Sequence, residues 1–282
     1  LMVPVLAGFI AMSIADRPGL APGMVGGYMA AQGGSGFICG LVAGFLAGYI
    51  VNWLKKLLKN IPQSLEGIKT ILFYPVFSIF LTGIIMYFVV NNPLAAFNNV
   101  LGDWLKGMGT SNAILFGLIL GGMMAVDMGG PINKAAYTFG IAMLSEGLNA
   151  PQAAIMAGGM VPPLGIALAT FLFRKKFTVQ EREAGKTNII MGLSFITEGA
   201  IPFAASDPIR VIPSIIVGSA ISGALSMAFK IGVPAPHGGI FVIGLVEGSP
   251  WLYLLAILIG SIVTALMLGF LKKDLPQDFD SK

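Results

Sequence analysis

The chain has 282 residues, of which 56% are hydrophobic and only 11% are charged, and its mean hydropathy is +0.85. A soluble domain carries about 25% charged residues, so this composition excludes an ordinary soluble domain and predicts a membrane protein. The single cysteine, Cys39, excludes an internal disulfide, and with one histidine, His237, most metal centres lack ligands. We therefore expect no metal and no cofactor. The net charge of +4 reflects membrane topology rather than nucleic acid binding.

The hydrophobic runs of the sequence predict an all-α polytopic membrane protein with about eight transmembrane helices. In chain order, the runs are 1–15, 35–54, 70–91, 111–128, 151–173, 187–204, 208–229 and 250–271. The first run is short for a span and lacks the basic start of a signal peptide, so the chain looks cut at its beginning. In the second run, glycines recur every four residues, which indicates a stripe for close helix packing: Gly36, Gly40, Gly44 and Gly48.

Three further segments are too short or too broken to cross a bilayer alone. Residues 92–109 place apolar side chains on one helical face and include Trp104, which predicts an amphipathic helix at the membrane interface. Residues 127–147 and 230–248 are interrupted by polar residues or by Pro and Gly. Because a broken backbone leaves amide groups unsatisfied in lipid, we expect these two segments to be re-entrant and to face a cavity.

Basic residues fix the predicted orientation of the chain. Lys and Arg accumulate on the cytoplasmic side of a membrane, so we expect every basic cluster there, together with the polar tail 272–282. The clusters are Lys55, Lys56 and Lys59, then Arg174, Lys175, Lys176, Arg182 and Lys186, and finally Lys272 and Lys273.

The stretch "GGPINKAAY" at 129–137 presents polar residues at a predicted helix start. Two glycines permit a tight turn, and Pro131 suits the first turn of the following helix. Asn133 could donate to and accept from a hydroxyl without the cost of a charge. For Lys134 two roles stay open: it pairs with Asp127 to hold the bend, or it contacts a ligand at the positive end of the helix.

The stretch "SFITEGAIPFAASDP" at 194–208 places two carboxylates in apolar sequence. A charge at membrane depth costs about 2.5 to 3.5 kcal/mol on insertion scales. Asp207 is predicted to cap the helix that begins at Pro208 and to pair with Arg210. Glu198 has no basic residue within four positions. We therefore favour a ligand-binding role for Glu198 over a carboxylate that backbone or water satisfies.

The only histidine, His237, lies between Pro and Gly residues in "PAPHGG". A lone histidine is usually a satisfied core residue, but this context favours a loop that lines a cavity. An amide, a carboxylate, an imidazole and, if it is not paired with Asp127, the amine of Lys134 are then carried on broken membrane segments. Such a set suits a neutral solute that is rich in hydroxyl groups.

Five blocks of the sequence resemble a known family, the fructose-specific membrane component (IIC) of the bacterial phosphotransferase system. They are "IADRPGLAPG", "SGFICGLVAGFLAGY", "DMGGPINKAAYTFG", "SFITEGAIPFAASDPIRVIP" and "PHGGIFV", in this order along the chain. The resemblance implies a sugar carrier of the bacterial inner membrane, with fructose as the expected sugar. It also implies cytoplasmic A and B components as partners. In the family, a histidine on A and a cysteine on B carry the phosphoryl group, and neither of these phosphorylated residues is part of this chain.

The block around Glu198 is also similar to the "GITE" site of the wider glucose superfamily of these carriers, whose Glu binds the sugar near the hydroxyl to be phosphorylated. The resemblance implies a homodimer, with residues 1–110 forming the dimer contact, 111–271 holding the sugar and re-entrant hairpins, and 272–282 forming the tail. It also implies that the first membrane helix of the family is missing here. Glu198 is the expected catalytic residue, and the expected substrate-binding residues are Glu198, His237, Asn133, Lys134, Asp127 and Thr197.

Two other classes of protein compete with this prediction. An ion-coupled secondary transporter also uses broken helices and a midplane carboxylate, but an inverted repeat is not visible in the sequence. An intramembrane enzyme needs a nucleophile and a base, or paired carboxylates, on facing helices, and the sequence has no clear pair.

Overall fold

In a computed structural model of the protein, the structure describes residues 2–33, 36–60, 62, 66–107 and 109–275. These residues are overwhelmingly α-helical. The chain divides into two compact units, Leu1–Lys106 and Gly107–Lys282. The expectation of an all-helical architecture is confirmed for the described part of the chain.

The first unit begins with three packed helices, α1 (Met2–Ala15), α2 (Arg17–Gln32) and α3 (Gly36–Leu57). Three glycines of the stripe in α3, Gly40, Gly44 and Gly48, lie against α1, so the predicted role of these glycines in close helix packing is confirmed. A Cβ atom built on Gly44 would lie 2.9 Å from the carbonyl oxygen of Ala7, and one on Gly48 would lie 2.8 Å from Cβ of Ile14. The absence of side chains on this face therefore sets how closely the two helices approach.

Helix α2 was not anticipated from the sequence. Its 16 residues include many glycines and two prolines, which weaken both its helix propensity and its hydrophobic signal. Its small residues nevertheless allow close packing on α1, because a Cβ on Gly23 would meet the carbonyl oxygen of Ala7 at 2.6 Å. Tertiary packing stabilises this helix where local propensity does not.

The rest of the first unit is a continuous helical stretch. It contains α4 (Glu66–Ile68), a π-helical turn at Lys69–Phe73, α5 (Tyr74–Ile85), a second π-helical turn at Met86–Val90, and α6 (Asn91–Lys106). The helices predicted over 70–91 and 92–109 are thus both present and follow one another without a loop. That α6 lies at a membrane interface stays a prediction.

The second unit is built around α9 (Ala150–Leu172), which is buried along almost its whole length. Four helices pack against it: α7 (Thr110–Val126), α10 (Val179–Leu193), α12 (Pro208–Ala228) and α13 (Pro250–Leu271). Two shorter helices, α8 (Pro131–Ser145) and α11 (Ile201–Ser206), complete the unit. The predicted helix start at Pro131 is confirmed.

The apolar run 187–204 does not form one continuous helix, contrary to the prediction of a span there. Helix α10 ends at Leu193, residues Thr197–Ala200 form a 3₁₀ turn, and α11 has only six residues. Phe195 between them adopts a left-handed backbone conformation with φ of 62°. Such a residue cannot continue a right-handed helix, so the run breaks next to Glu198.

Segment 230–248 is irregular, as its Pro and Gly content predicted. Its two ends are held by an antiparallel bridge between Gly232 and Glu247, and Gly239–Leu245 forms a 3₁₀ turn. Asn149 at the start of α9 anchors it further, donating a hydrogen bond of 2.7 Å to Glu247. That this segment is re-entrant in the membrane stays a prediction.

Within the described residues, five helical stretches are long and apolar enough to cross a membrane. They are Gly36–Leu57, Glu66–Leu105, Ala150–Leu172, Pro208–Ala228 and Pro250–Leu271. Two shorter apolar helices, Met2–Ala15 and Ser111–Val126, accompany them. A polytopic membrane protein is therefore supported, whereas the count of about eight crossings stays a prediction.

Asp207 precedes α12, and its ion pair with Arg210 is confirmed at 3.0 Å. Its side chain makes no capping hydrogen bond to the helix, so that part of the prediction is wrong. The carboxylate turns toward the guanidinium of Arg210 instead. Of the predicted tail 272–282, residues 276–282 lie outside the described residues.

The crossing of α7 and α12 gives a test of packing at two adjacent glycines. A Cβ on Gly121 would collide with the carbonyl oxygen of Ser219 and lie 3.0 Å from Cα of Gly223, whereas one on Gly122 would make an ordinary contact at 3.5 Å. Overpacking of this kind costs about 1–3 kcal/mol. We therefore expect Gly121→Ala to lower Tm in detergent by several degrees and Gly122→Ala to leave it unchanged. Equal melting of the two variants would contradict this crossing.

Candidate functional site

The turn between α7 and α8 is closed by Asp127. Its two carboxylate oxygens accept hydrogen bonds from the backbone N–H groups of Ile132 at 2.6 Å and Asn133 at 2.9 Å. These donors belong to the first turn of α8, where they have no partner within the helix, and the negative charge also suits the positive helix end. Asp127 therefore caps α8 from outside. The glycine at 130 makes room, because a Cβ there would lie 2.7 Å from the carboxylate.

Asn133 joins this turn to the segment that carries Glu198. Its side chain is 2% exposed and donates a hydrogen bond of 2.7 Å to the carbonyl oxygen of Met124 in α7. The same amide nitrogen lies 3.5 Å from Oγ1 of Thr197, whose hydroxyl lies 3.5 Å from Oε2 of Glu198. A chain of polar groups thus runs from the end of α7 to the carboxylate.

Glu198 pairs with Lys134, since Nζ lies 3.8 Å from Oε1. Two roles were left open for Lys134, and the structure does not show the ion pair with Asp127. The carboxylate of Asp127 instead accepts hydrogen bonds from the backbone at the start of α8. Both side chains of the pair are well exposed to the cavity, at 59% and 45%, so water weakens their attraction. Gly129 lets the carboxylate approach the turn, since a Cβ there would lie 2.8 Å from Oε1.

The loop with His237 is held from two sides. Gln152 in α9 donates a hydrogen bond of 2.7 Å to the carbonyl oxygen of Pro236. Gly239 packs directly on the end of α10, where any side chain would collide with the carbonyl oxygen of Leu193. The contacts of Pro236 and Gly239, on either side of His237 in the sequence, therefore fix the position of the imidazole.

Phe195 connects this loop to the break before Glu198. Its ring centroid lies 5.0 Å from that of His237, and its side chain is 5% exposed. A left-handed backbone at a residue other than Gly costs on the order of 1–3 kcal/mol and persists only where the surroundings enforce it. Here the ring fills the space left by Gly159, where a Cβ would collide with it.

These segments enclose a cavity of about 490 Å³. It is lined by Met124, Asn133, Lys134, Tyr137, Phe195, Ile196, Thr197, Glu198 and His237. All of the expected site residues except Asp127 are therefore brought together. Asp127 supports the cavity through α8 instead of lining it, and sugar contact by any of these residues stays a prediction.

The sequence analysis missed four lining residues, namely Met124, Tyr137, Phe195 and Ile196. Tyr137 could have been found, because it lies three and four positions after Lys134 and Asn133 and so shares their helical face. The inward position of Phe195 depends on its left-handed backbone, for which the sequence gives no signal.

His237 lies outside the membrane-crossing helices, in the connection between α12 and α13. Burial lowers the pKa of its imidazole; the negative charge of Glu198 opposes this shift and the positive charge of Lys134 adds to it. The imidazole is therefore neutral at neutral pH, when one ring nitrogen donates and the other accepts a hydrogen bond. Among the described residues, no group of three His, Cys, Asp or Glu side chains could hold a metal ion.

Comparison with known proteins gives consistent matches. The family model described as "Phosphotransferase system, EIIC" matches residues 1–218, which include Glu198 but not His237. The chain is 63% identical over 273 residues to the fructose-specific EIIABC component of the phosphotransferase system from Bacillus subtilis (strain 168), covering 97% of this chain and 43% of that protein.

Two further relatives are closer to this chain in length. The fructose permease IIC component from Bacillus amyloliquefaciens is 62% identical over 97% of this chain and 89% of its own length. The fructose-specific EIIC component from Haloferax volcanii is 45% identical over 100% of this chain and 78% of its own. The chain thus spans less than half of the EIIABC relative but most of the relatives named as IIC components alone.

The cap formed by Asp127 can be tested by stability. Asp127→Ala removes both acceptors of the α8 start, and loss of a cap typically costs about 0.5–2 kcal/mol. We expect a Tm several degrees below that of the wild type, with a smaller decrease for Asp127→Asn, which keeps one acceptor. Asp103→Ala, at an exposed carboxylate of α6, is the control and should melt like the wild type. Unchanged melting of Asp127→Ala would rule out the capping role.

Proposed function

The chain belongs to the EIIC family of the phosphotransferase system, and we propose that it is a permease component that binds fructose and passes it across the membrane for phosphorylation. The observation that carries the proposal is the cavity at which three breaks in the helical structure meet, with Glu198 and Lys134 exposed inside it. The names of the relatives support fructose as the sugar.

The cavity offers the groups that a neutral sugar needs. Glu198 accepts hydrogen bonds, Lys134 donates them, and a neutral His237 does both. The amide nitrogen of Asn133 already serves Met124 and Thr197, so its carbonyl oxygen is the group left for a ligand. Acceptors and donors are thus mixed, which suits hydroxyl groups better than a charged solute.

Glu198 is the residue proposed to act in phosphoryl transfer. Its carboxylate accepts a hydrogen bond from the sugar hydroxyl to be phosphorylated, which is the C1 hydroxyl if the sugar is fructose, and withdraws its proton as the phosphoryl group arrives. Proton removal by a positioned side chain contributes roughly a hundred- to ten-thousand-fold in rate. The amine of Lys134, 3.8 Å from Oε1 of Glu198, is the cation beside this carboxylate.

The phosphoryl group must come from partner components. The side chain of Cys39 is buried in α3, where its Sγ lies 3.3 Å from Oδ1 of Asn91. Because it is buried, this thiol is not placed to carry phosphate to a sugar. Relatives named EIIABC and EIIB'BC components support cytoplasmic A and B components as the partners. We place the protein in the cytoplasmic membrane as a homodimer, with 1–110 at the dimer contact, 111–271 holding the sugar, and the tail 272–282 in the cytoplasm.

Binding of radiolabelled fructose to the purified protein, competed by a panel of sugars, tests the proposed substrate. His237→Ala and Asn133→Ala each remove one hydrogen-bonding group from the cavity, so we expect a loss of affinity of roughly two- to tenfold. Asn112→Ala, at an exposed amide of α7 outside the cavity lining, is the control. All variants must stay monodisperse in detergent, because Asn133 is also buried. Normal binding by both cavity variants would place the site elsewhere.

Two substitutions separate the contribution of Glu198 to sugar binding from its contribution to phosphoryl transfer. Glu198→Gln keeps the shape and part of the hydrogen bonding but cannot take up a proton, so phosphorylation dependent on the B component should fall far more than sugar affinity. Glu198→Ala should reduce both. Glu183→Gln, at an exposed carboxylate paired with Lys186, serves as the matched control. If the Glu198→Gln variant phosphorylates at the wild-type rate, measured on the same preparation as binding, this carboxylate has no part in the chemistry.

A further inference from the structure

Three aromatic rings contact one another at the cavity. The ring centroids of Tyr137 and Phe195 are 6.1 Å apart, those of Tyr137 and His237 are 6.3 Å apart, and those of Phe195 and His237 are 5.0 Å apart. These distances lie in the range of favourable aromatic contacts. The three rings come from α8, from the break after α10 and from the loop after α12, so they form one wall across three elements.

The position of this aromatic wall is fixed by the backbone around it. Phe195 is held in a left-handed conformation, its ring occupies the space above Gly159, and Gly239 packs on the carbonyl oxygen of Leu193. A simple core contact between rings would not require the left-handed backbone of Phe195 or the positive φ of Gly239. All three rings also line the cavity, and His237 is exposed to it.

The hydroxyl of Tyr137 is a polar group of the aromatic wall that is available for a new hydrogen bond. Within the described part of the chain it makes no hydrogen bond, although the side chain is half-buried. A buried tyrosine usually has a partner for its hydroxyl, as Tyr253 does in bonding to the carbonyl oxygen of Ala153 at 3.3 Å. Tyr137 lies on the helical face of Asn133 and Lys134, so its hydroxyl is available to a ligand in the same cavity.

We propose that Tyr137 determines sugar specificity: its ring, supported by contacts with Phe195 and His237, meets the C–H face of the sugar, and its hydroxyl bonds one particular sugar hydroxyl. The inference rests on the proposed function. A sugar ring combines an apolar C–H patch with polar hydroxyls, and a tyrosine offers an apolar ring and a polar tip in the same arrangement. A site that bonds a substrate hydroxyl rejects analogues without it, because its own polar group is then left unpaired.

The test compares the wild type with Tyr137→Phe in equilibrium binding of fructose and of a set of monodeoxy fructoses, each lacking one hydroxyl. We expect Tyr137→Phe to bind fructose roughly two- to tenfold more weakly. One monodeoxy sugar should bind the two proteins equally well, because it lacks the hydroxyl that bonds to Tyr137. The substitution should weaken binding of the other analogues as much as it weakens binding of fructose. Tyr137→Leu, which also removes the ring, should weaken every sugar of the set.

The control is Tyr49→Phe, the same substitution at an exposed tyrosine of α3 that does not line the cavity. It should leave every affinity unchanged. If the wild type binds fructose and Tyr137→Phe binds the whole set like the wild type, the inference is wrong while the proposed function stands. Equal weakening of all analogues by Tyr137→Phe would also overturn it, because no single hydroxyl would then be bonded by Tyr137. If the wild type binds no sugar of the set, the proposed function itself fails, and this inference fails with it.

Discussion

Broken helices in an apolar protein are possible only where protein groups satisfy the freed backbone, and the candidate site depends on this constraint. Asp127 accepts hydrogen bonds from two backbone N–H groups at the start of α8. The side chain of Asn133 donates a hydrogen bond to the carbonyl oxygen of Met124, and that of Gln152 donates one to the carbonyl oxygen of Pro236. Lipid offers no replacement for such partners. The polar residues that bond to the freed backbone groups therefore lie beside the cavity, because the helix breaks form its walls.

This constraint divides the polar residues of the site into two groups. Both carboxylate oxygens of Asp127 and the amide nitrogen of Gln152 bond to backbone groups, and neither residue lines the cavity. Glu198 and Lys134 keep much of their surface exposed inside it. Asn133 belongs to both groups, because its amide nitrogen bonds within the protein and the residue also lines the cavity. The partners of a polar residue, not its type, therefore decide whether it supports this cavity or lines it.

The sequence predicted most of the helices and five of the residues around the cavity, because both leave local signals. Pro131 after two glycines marked the start of α8, and the glycines of α3 marked a packing face. Contacts between distant residues left no such signal: Glu198 has no basic neighbour in sequence, yet Lys134 pairs with it across 64 positions. The break at Phe195 was also hidden, since only tertiary contacts enforce its backbone conformation.

The pairing of Glu198 with Lys134 is loose, and this looseness suits the proposed reaction. A tight, buried ion pair would hold both groups against each other, and a ligand would have to replace a strong interaction to reach either one. At 3.8 Å and with both side chains exposed, the pair costs little to rearrange. In the proposed reaction, the incoming phosphoryl group adds negative charge next to Glu198, and a proton moves onto this carboxylate in the same step. On this proposal, Lys134 is the cation that remains beside the new phosphate and stabilises the product.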